Sequence, residues 1–99
     1  MAMDVQALIG WNVARLRSKM KMSQQELAAH VGIVDQSYIS GLETGKRNPT
    51  AVLLMLISGG LGVQIGELFA TSSAPKEIVE GPIVIKSGRS GKSSNANLD

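Results

Sequence analysis

The chain of 99 residues contains no cysteine, one histidine and only one each of tryptophan, tyrosine and phenylalanine. Without cysteine it can form no disulfide, no thiolate metal site and no cysteine nucleophile. The single histidine, His30, has no carboxylate or second ligand at a useful spacing, so we expect it on a helix surface. No pairing of nucleophile and base is visible. We therefore expect a protein that is not an enzyme and that needs no metal and no cofactor.

The chain also lacks a strong excess of either charge, because ten basic residues against eight acidic ones leave a formal net charge of only +2. This net charge is too small to indicate nucleic-acid binding by itself, so evidence for such binding has to come from where the charges lie. The first 17 residues lack a basic segment followed by an unbroken apolar run. We expect neither a signal peptide nor a membrane span, and we predict a cytoplasmic protein.

Aliphatic residues are what the chain has in quantity, and their spacing predicts helices. A helical repeat of apolar side chains predicts a first helix over residues 4–21, with Asp4 as its N-cap. The sequence "SQQE", with Ser23 and Glu26 three residues apart, predicts a capping box. That box opens a second helix over residues 24–31, and the following glycine is placed to end it.

The next segments predict three more helices. A third helix over residues 36–44 lies between the capping Asp35 and a glycine stop. The fourth begins after a capping threonine and should end near Ser58, because glycine costs about 1 kcal/mol relative to alanine in a helix. A short fifth helix over residues 64–70 should return Leu68 and Phe69 to the core. The prediction is an all-α, five-helix bundle.

After residue 70 the composition changes, and this change divides the chain into a domain over residues 1–70 and an extension over 71–99. The extension begins and ends with linker-like sequence. Its β-branched middle predicts a short strand over residues 77–86, which would pair at a dimer interface. A basic, glycine-rich stretch over residues 86–92 should form a flexible tail. Its "SGRSGKSS" is not a phosphate-binding loop, because Lys86 stands where that motif needs glycine.

Five ordered blocks between residues 8 and 70 resemble the Xre/Cro/C1-repressor family of helix-turn-helix proteins. They are the Leu-Arg of "LRSKM", then "SQQELA", "SYISGLE", "TGKRNP" and "GVQIGELF". The resemblance implies a lambda-repressor-like fold in which the third helix lies in the major groove of DNA.

Side chains of the third helix that lie off its apolar Ile39/Leu42 edge would then face the bases. Glutamine can donate and accept at once, which suits adenine, and serine can bond to a base or to a phosphate. The candidate base-contacting residues are Gln36, Ser37 and Ser40. Gly41 should leave a bare patch where the backbone can approach DNA. The alternative for all of these is an ordinary solvated helix face.

The resemblance also implies contacts with the DNA backbone and one structural ion pair. Phosphate contacts fix the register of the protein on DNA and supply salt-dependent affinity. The candidate phosphate-contacting residues are Gln24, Lys46, Arg47 and Asn48. In the resembling domains the residues that match Arg17 and Glu43 pair between the first and third helices, and this pair should set the pitch of the third helix.

Three features depart from the pattern of the family, one of which is Gly59-Gly60 at a place where alanines are more usual. The turn before the third helix is one residue longer, most simply through Val34 or Asp35. If Asp35 caps the helix, the extra residue is absorbed in the turn; if the helix starts earlier, its face rotates by about 100° per residue. Lys21 also replaces a frequent glycine before the second helix.

The function that the resemblance implies is that of a transcriptional regulator of the repressor type. It would bind double-stranded DNA as a homodimer on a palindromic site, because one recognition helix contacts too few bases. Its activity would be controlled by its own concentration or by a regulatory protein partner. The alternative is an interaction module of the same fold that binds another regulator, with DNA contact weak or lost.

Overall fold

Residues 2–86 are described by the structure, a computed structural model, and the regular secondary structure in this part is helical. Its elements are α1 (Val5–Lys19), α2 (Gln24–Val31), α3 (Gln36–Glu43), α4 (Ala51–Leu61), a 3-10 helix (Ile65–Phe69) and α5 (Lys76–Val79). No β-sheet forms within the described residues, which contain one isolated β-bridge. The prediction of an all-α helical bundle is confirmed.

Helices α1 to α4 surround one aliphatic core. Burying each large aliphatic side chain contributes about 1.5–3 kcal/mol to the free energy of folding. The buried apolar cluster consists of Ile9, Val13, Leu16, Leu27, Ala28, Val31, Ile39, Leu42, Leu54, Ile57, Leu61 and Leu68. Helix α1 packs closely on α3 at Gly10, where a Cβ would collide with the carbonyl oxygen of Leu42.

Helix α1 is shorter than its apolar repeat predicted. The Asp4 carboxylate accepts a hydrogen bond from the backbone N–H of Ala7, so Asp4 is the N-cap and not a helical residue. At the other end, Met20 is the C-cap, and Lys21 has a left-handed backbone with φ 58°. The chain therefore turns at the position where the family frequently has glycine, although lysine adopts this conformation at a cost.

Helix α4 is longer than predicted, because it continues through two glycines to Leu61 instead of ending near Ser58. Leu61 is fully buried in the core. Gly60 faces α2 so closely that a Cβ there would lie 3.3 Å from the Val31 side chain. Burial of Leu61 and close packing on α2 offset the poor helix propensity of glycine. Gly62, with φ 70°, then ends the helix.

The short 3-10 helix is joined to α1 by a buried amide. The Asn12 side chain, which is fully buried, donates to the carbonyl oxygens of Leu68 and Ala70 at 3.0 and 2.8 Å. Leu68 is buried as expected, but Phe69 is 41% exposed. The prediction that Phe69 returns to the core is wrong, because the tight 3-10 winding turns only Leu68 inward.

The described part of the extension folds back on the start of α1. Residues 76–79 form the single-turn helix α5, so residues 77–86 are not one continuous strand. Ile83 forms a parallel bridge with Met3 of the same chain. Pairing of this segment with a second subunit stays a prediction. Apart from Lys86, the predicted basic tail lies outside the described residues.

Candidate nucleic-acid interface

Helices α2 and α3 are joined by a turn whose geometry is set by local caps. Ser23 and Glu26 form the capping box at the start of α2, and hydrogen bonds from Ser23 lower the pKa of Glu26 below its ordinary value. Gly32 ends α2 with φ 93°, in the left-handed region. Asp35 then caps α3 by accepting from the backbone N–H of Tyr38 at 2.9 Å. The extra residue of the turn is therefore absorbed between the two helices.

Because α3 begins at Gln36, its buried apolar face and its exposed polar face consist of the residues that the sequence predicted for them. Ile39 and Leu42 are fully buried against the core. Gln36 and Ser37 are exposed on the opposite side, and Ser40 is half-buried. An exposed row of short polar side chains can donate to and accept from the edges of bases. The structure thus presents the three candidate base-contacting residues to solvent on one short helix.

The third helix is held against α1 by a largely buried ion pair. Arg17 donates to both carboxylate oxygens of Glu43, at 2.6 and 2.9 Å, and also to the carbonyl oxygen of Met22 at 2.8 Å. The side chains of the pair are 16% and 8% exposed. Hydrogen bonding to Glu43 raises the pKa of Arg17 further above its ordinary value, although desolvation acts against it. Two parallel bonds in this bidentate arrangement restrict the tilt of α3.

Two glutamine side chains continue from this ion pair to the surface. Gln24 donates to Glu43 Oε1 at 2.9 Å, and Gln36 donates to Gln24 Oε1 at 2.7 Å. The Gln24 side chain therefore lies toward α3 rather than pointing straight outward from α2. A phosphate contact by Gln24 stays a prediction, and the structure adds a bond by which Gln24 orients Gln36.

The basic loop after α3 starts at Gly45, whose φ of 78° is in the left-handed region. A Cβ at this position would lie only 3.2 Å from the Cα of Ala7, so glycine is required by both conformation and space. The next three residues, Lys46, Arg47 and Asn48, are all exposed. The loop thus places two positive charges and an amide at the C-terminal end of α3.

Arg47 does not extend away from the loop, because its side chain lies over α3. The guanidinium carbon is 5.1 Å from the centre of the Tyr38 ring, a cation–π arrangement. A Cβ at Gly41 would lie 3.1 Å from Arg47 Nε. The expected bare patch at Gly41 is therefore covered by Arg47. Sequence reasoning missed Tyr38, since an arginine nine residues after a tyrosine gives no recognisable pattern.

The described residues show neither a metal site nor a membrane-spanning helix. Between residues 2 and 86, no group of three or more His, Cys, Asp and Glu side chains could hold a metal ion. None of the helices in this range is both long and apolar enough to cross a membrane.

Comparison with known proteins identifies the same region. The sequence model of a family described as helix-turn-helix matches residues 13–68. An uncharacterized HTH-type transcriptional regulator of Sinorhizobium fredii, y4dJ, is 44% identical over 66 residues, which cover 67% of this chain and 84% of the relative.

Solved structures agree with this match. The restriction-modification controller protein C.AhdI from Aeromonas hydrophila is 33% identical with a TM-score of 0.62, covering 65% of this chain and 96% of that one. The controller protein C.Esp1396I, solved as a tetramer in complex with its natural 35-base-pair operator, is 30% identical with a TM-score of 0.58. That similarity covers 67% of this chain and 96% of the controller protein.

Proposed function

This chain belongs to the helix-turn-helix family, and on that premise we propose that it is a transcriptional regulator that binds specific sequences in double-stranded DNA. Helix α3 enters the major groove, and two copies of the chain bind the two halves of a palindromic operator. The operator complex of C.Esp1396I, a similar protein, supports DNA as the partner.

The observation that carries this proposal is the exposed polar face of α3. Gln36 and Ser37 lie in the first turn of the helix, the part that contacts base edges in helix-turn-helix proteins. Gln36 uses one amide hydrogen in its bond to Gln24. Its carbonyl oxygen and second amide hydrogen are the two groups that pair with adenine N6 and N7. The bond to Gln24 thus orients the amide for the bidentate contact.

The exposed basic loop supplies the sequence-independent part of the affinity. Lys46 and Arg47 bring two positive charges to the end of the recognition helix, and Asn48 adds an amide donor. Each phosphate that such residues neutralise releases counterions, so that affinity falls as the salt concentration rises. The contacts fix the register of α3 along the groove.

Dimerisation is supported by an apolar stripe on α4, made of Val52, Met55 and Leu56 with Gly59 as a flat continuation. These residues share one face of the helix. Val52 and Met55 are 70% and 57% exposed, and apart from its chain neighbours and the nearby backbone of α4 itself, no atom lies within 4 Å of a Cβ built at Gly59. Exposed apolar stripes of this kind mark interfaces between proteins, and a two-fold interface requires a self-complementary surface.

A selection of bound sequences from a random duplex pool tests the proposal. We expect enrichment of a two-fold symmetric sequence, and binding to it that weakens linearly in log affinity against log salt. The matched control is a variant with Gln36, Ser37 and Ser40 all changed to alanine, which should bind duplexes without enriching any sequence. No enrichment and a salt slope near zero for the unaltered chain would favour the protein-interaction alternative.

The dimer is tested separately by Met55→Lys, which places a charge in the α4 stripe. Sedimentation should show a monomer for this variant and a dimer for the unaltered chain. Met20→Lys is the control, because Met20 is 48% exposed, close to the 57% of Met55, but lies at the end of α1. A Met55→Lys chain that stays dimeric would remove α4 from the interface.

A further inference from the structure

The described end of the extension is tied by backbone hydrogen bonds to the residues that precede α1. Met3 N–H donates to the Pro82 carbonyl at 2.8 Å, and Val84 N–H donates to the Met3 carbonyl at 3.0 Å. Asp4 N–H donates to the Ile78 carbonyl at 2.8 Å. These bonds join two segments about 80 residues apart in sequence, and both lie outside the matched family region of residues 13–68.

The extension then reaches the start of the basic loop through one side chain. Lys86 Nζ donates to the carbonyl oxygen of Gly45 at 2.8 Å and to Asp4 Oδ2 at 3.0 Å. The same Gly45 carbonyl accepts a second bond, from the Gln6 side chain at 3.2 Å. Gly45 directly precedes Lys46, so the loop begins at a residue whose carbonyl oxygen is bonded from both α1 and the extension.

We propose that residues 75–86 form a clasp that positions the DNA-contacting loop, with Lys86 as the positioning residue that holds Gly45 and neutralises Asp4. This inference rests on the proposed function, because it assigns the loop at residues 46–48 to the DNA backbone. The extension thereby contributes to DNA affinity from outside the family domain, without a base contact of its own.

The electrostatic part of the clasp follows from the position of Asp4. Its carboxylate caps α1 and is bridged to the Gly45 carbonyl by the Lys86 ammonium. Burial raises the pKa of Asp4, but hydrogen bonds from the Ala7 backbone and from Lys86 outweigh this and leave it below its ordinary value. Asp4 is therefore ionised at neutral pH. Without Lys86, an unneutralised negative charge would stand beside a loop that has to approach phosphates.

Four variants of the full chain test the clasp, measured as duplex affinity at several salt concentrations. Lys86→Met should lower affinity about two- to fivefold for every duplex alike, the effect of one partly exposed charge pair. Asp4→Asn keeps a good helix cap and leaves the bond from Lys86 to the Gly45 carbonyl, so removing the negative charge should raise affinity by a similar factor. The controls are Lys76→Met and Glu77→Gln, which make the same charge changes at exposed positions on α5.

These measurements distinguish a failure of the clasp proposal from a failure of the proposed function. If the unaltered chain shows no salt-dependent duplex binding, the proposed function itself fails. If it binds and Lys86→Met behaves like Lys76→Met, the clasp is overturned while the function stands. Amide hydrogen exchange gives a second measurement without DNA. Lys86→Met should lower the protection of the Met3 and Asp4 amides, and unchanged protection would show that Lys86 does not hold the extension in place.

Discussion

Two ion pairs lie near the C-terminal end of α3, and they differ in burial and in what surrounds them. Arg17 and Glu43 are bonded at 2.6 Å with side chains 16% and 8% exposed. Lys86 and Asp4 are bonded at 3.0 Å with side chains 38% and 33% exposed. Breaking a buried pair strands a charge in a poorly solvated place, whereas an exposed charge is rehydrated and screened. The first pair should therefore control folding, and the second should adjust binding.

The surroundings of the two pairs support this division of roles. Helix α3 buries Ile39 and Leu42 completely beside the first pair. Helix α5, in the clasp, contains no buried residue and has no side-chain cap. The extension is thus held mainly by a few backbone bonds and by Lys86, and its local opening should cost much less free energy than opening of α3.

The largest expected effect is that of Glu43→Ala on stability. The variant leaves Arg17 partly buried without its carboxylate, which should cost about 3–5 kcal/mol of unfolding free energy. Chemical denaturation followed by circular dichroism measures the loss. Glu67→Ala is the control, because Glu67 lies 4.0 Å from Arg15 and is half exposed. That change should cost less than about 1 kcal/mol. A Glu43→Ala chain as stable as the control would refute the role of the buried pair.

Gln36→Ala should act on recognition and leave folding almost unchanged. Loss of a bidentate base contact should cost about 1–3 kcal/mol and relax the preference at one position in each half-site. Binding to a panel of single-base operator variants measures this directly. Gln25→Ala, at an exposed site in the first turn of α2, serves as the control. Equal weakening at every position would instead indicate that Gln36 contacts only the DNA backbone.

Arg47→Ala should weaken binding to all duplexes alike and reduce the salt slope by about one. The position of Arg47 over Tyr38 makes this a sharp test, since a guanidinium held above α3 would also lie close to the groove that α3 is proposed to enter. Lys46→Ala provides the comparison, because Lys46 is the exposed residue directly before Arg47 in the same loop. If only Arg47→Ala changes the preference for one base while the slope stays the same, Arg47 belongs with the base-contacting residues.

Lys21→Gly should stabilise the fold by about 1 kcal/mol, because glycine adopts the left-handed backbone of residue 21 without steric cost. The neighbouring Met22 carbonyl accepts from Arg17, so this strained turn lies beside the buried pair. Thermal unfolding of Lys21→Gly and of Lys19→Gly forms the test. Lys19 is helical and exposed, so Lys19→Gly should destabilise the fold by about the amount that Lys21→Gly stabilises it. No gain from Lys21→Gly would mean that residue 21 is not strained.

The sequence predicted those parts of the fold that depend on neighbouring residues. Ser23 with Glu26, and Asp35, are caps that act within three residues, and the apolar spacing identified Ile39 and Leu42 as the buried edge of α3. The predictions of helix ends and burial failed where packing against residues distant in sequence determines the structure. Helix α4 continues through its two glycines because Leu61, which follows them, is fully buried in the core.

In the candidate site, too, local features were predictable from the sequence and contacts between distant residues were not. The exposed polar residues of α3 followed from its helical register once Asp35 was recognised as a cap. The contact of Arg47 with Tyr38 and the bond from Lys86 to Gly45 did not follow, because neither has a sequence spacing that a local rule describes. Residues that are joined only by the tertiary fold are visible only in the structure, unless a family resemblance implies their contact, as it did for Arg17 and Glu43.

The smallest expected effect on stability is that of truncation after Ser73, which removes the exposed pair and α5 together. The lost hydrogen bonds are offset by the conformational entropy of the segment, which no longer has to be ordered. We therefore expect the free energy of unfolding to change by about 1 kcal/mol or less. Because Ile83 bridges Met3 of its own chain and the α4 stripe remains, the truncated chain should still sediment as a dimer. Its duplex affinity should fall as in Lys86→Met. A monomeric product would instead assign assembly to residues 77–86, as their β-branched sequence first suggested.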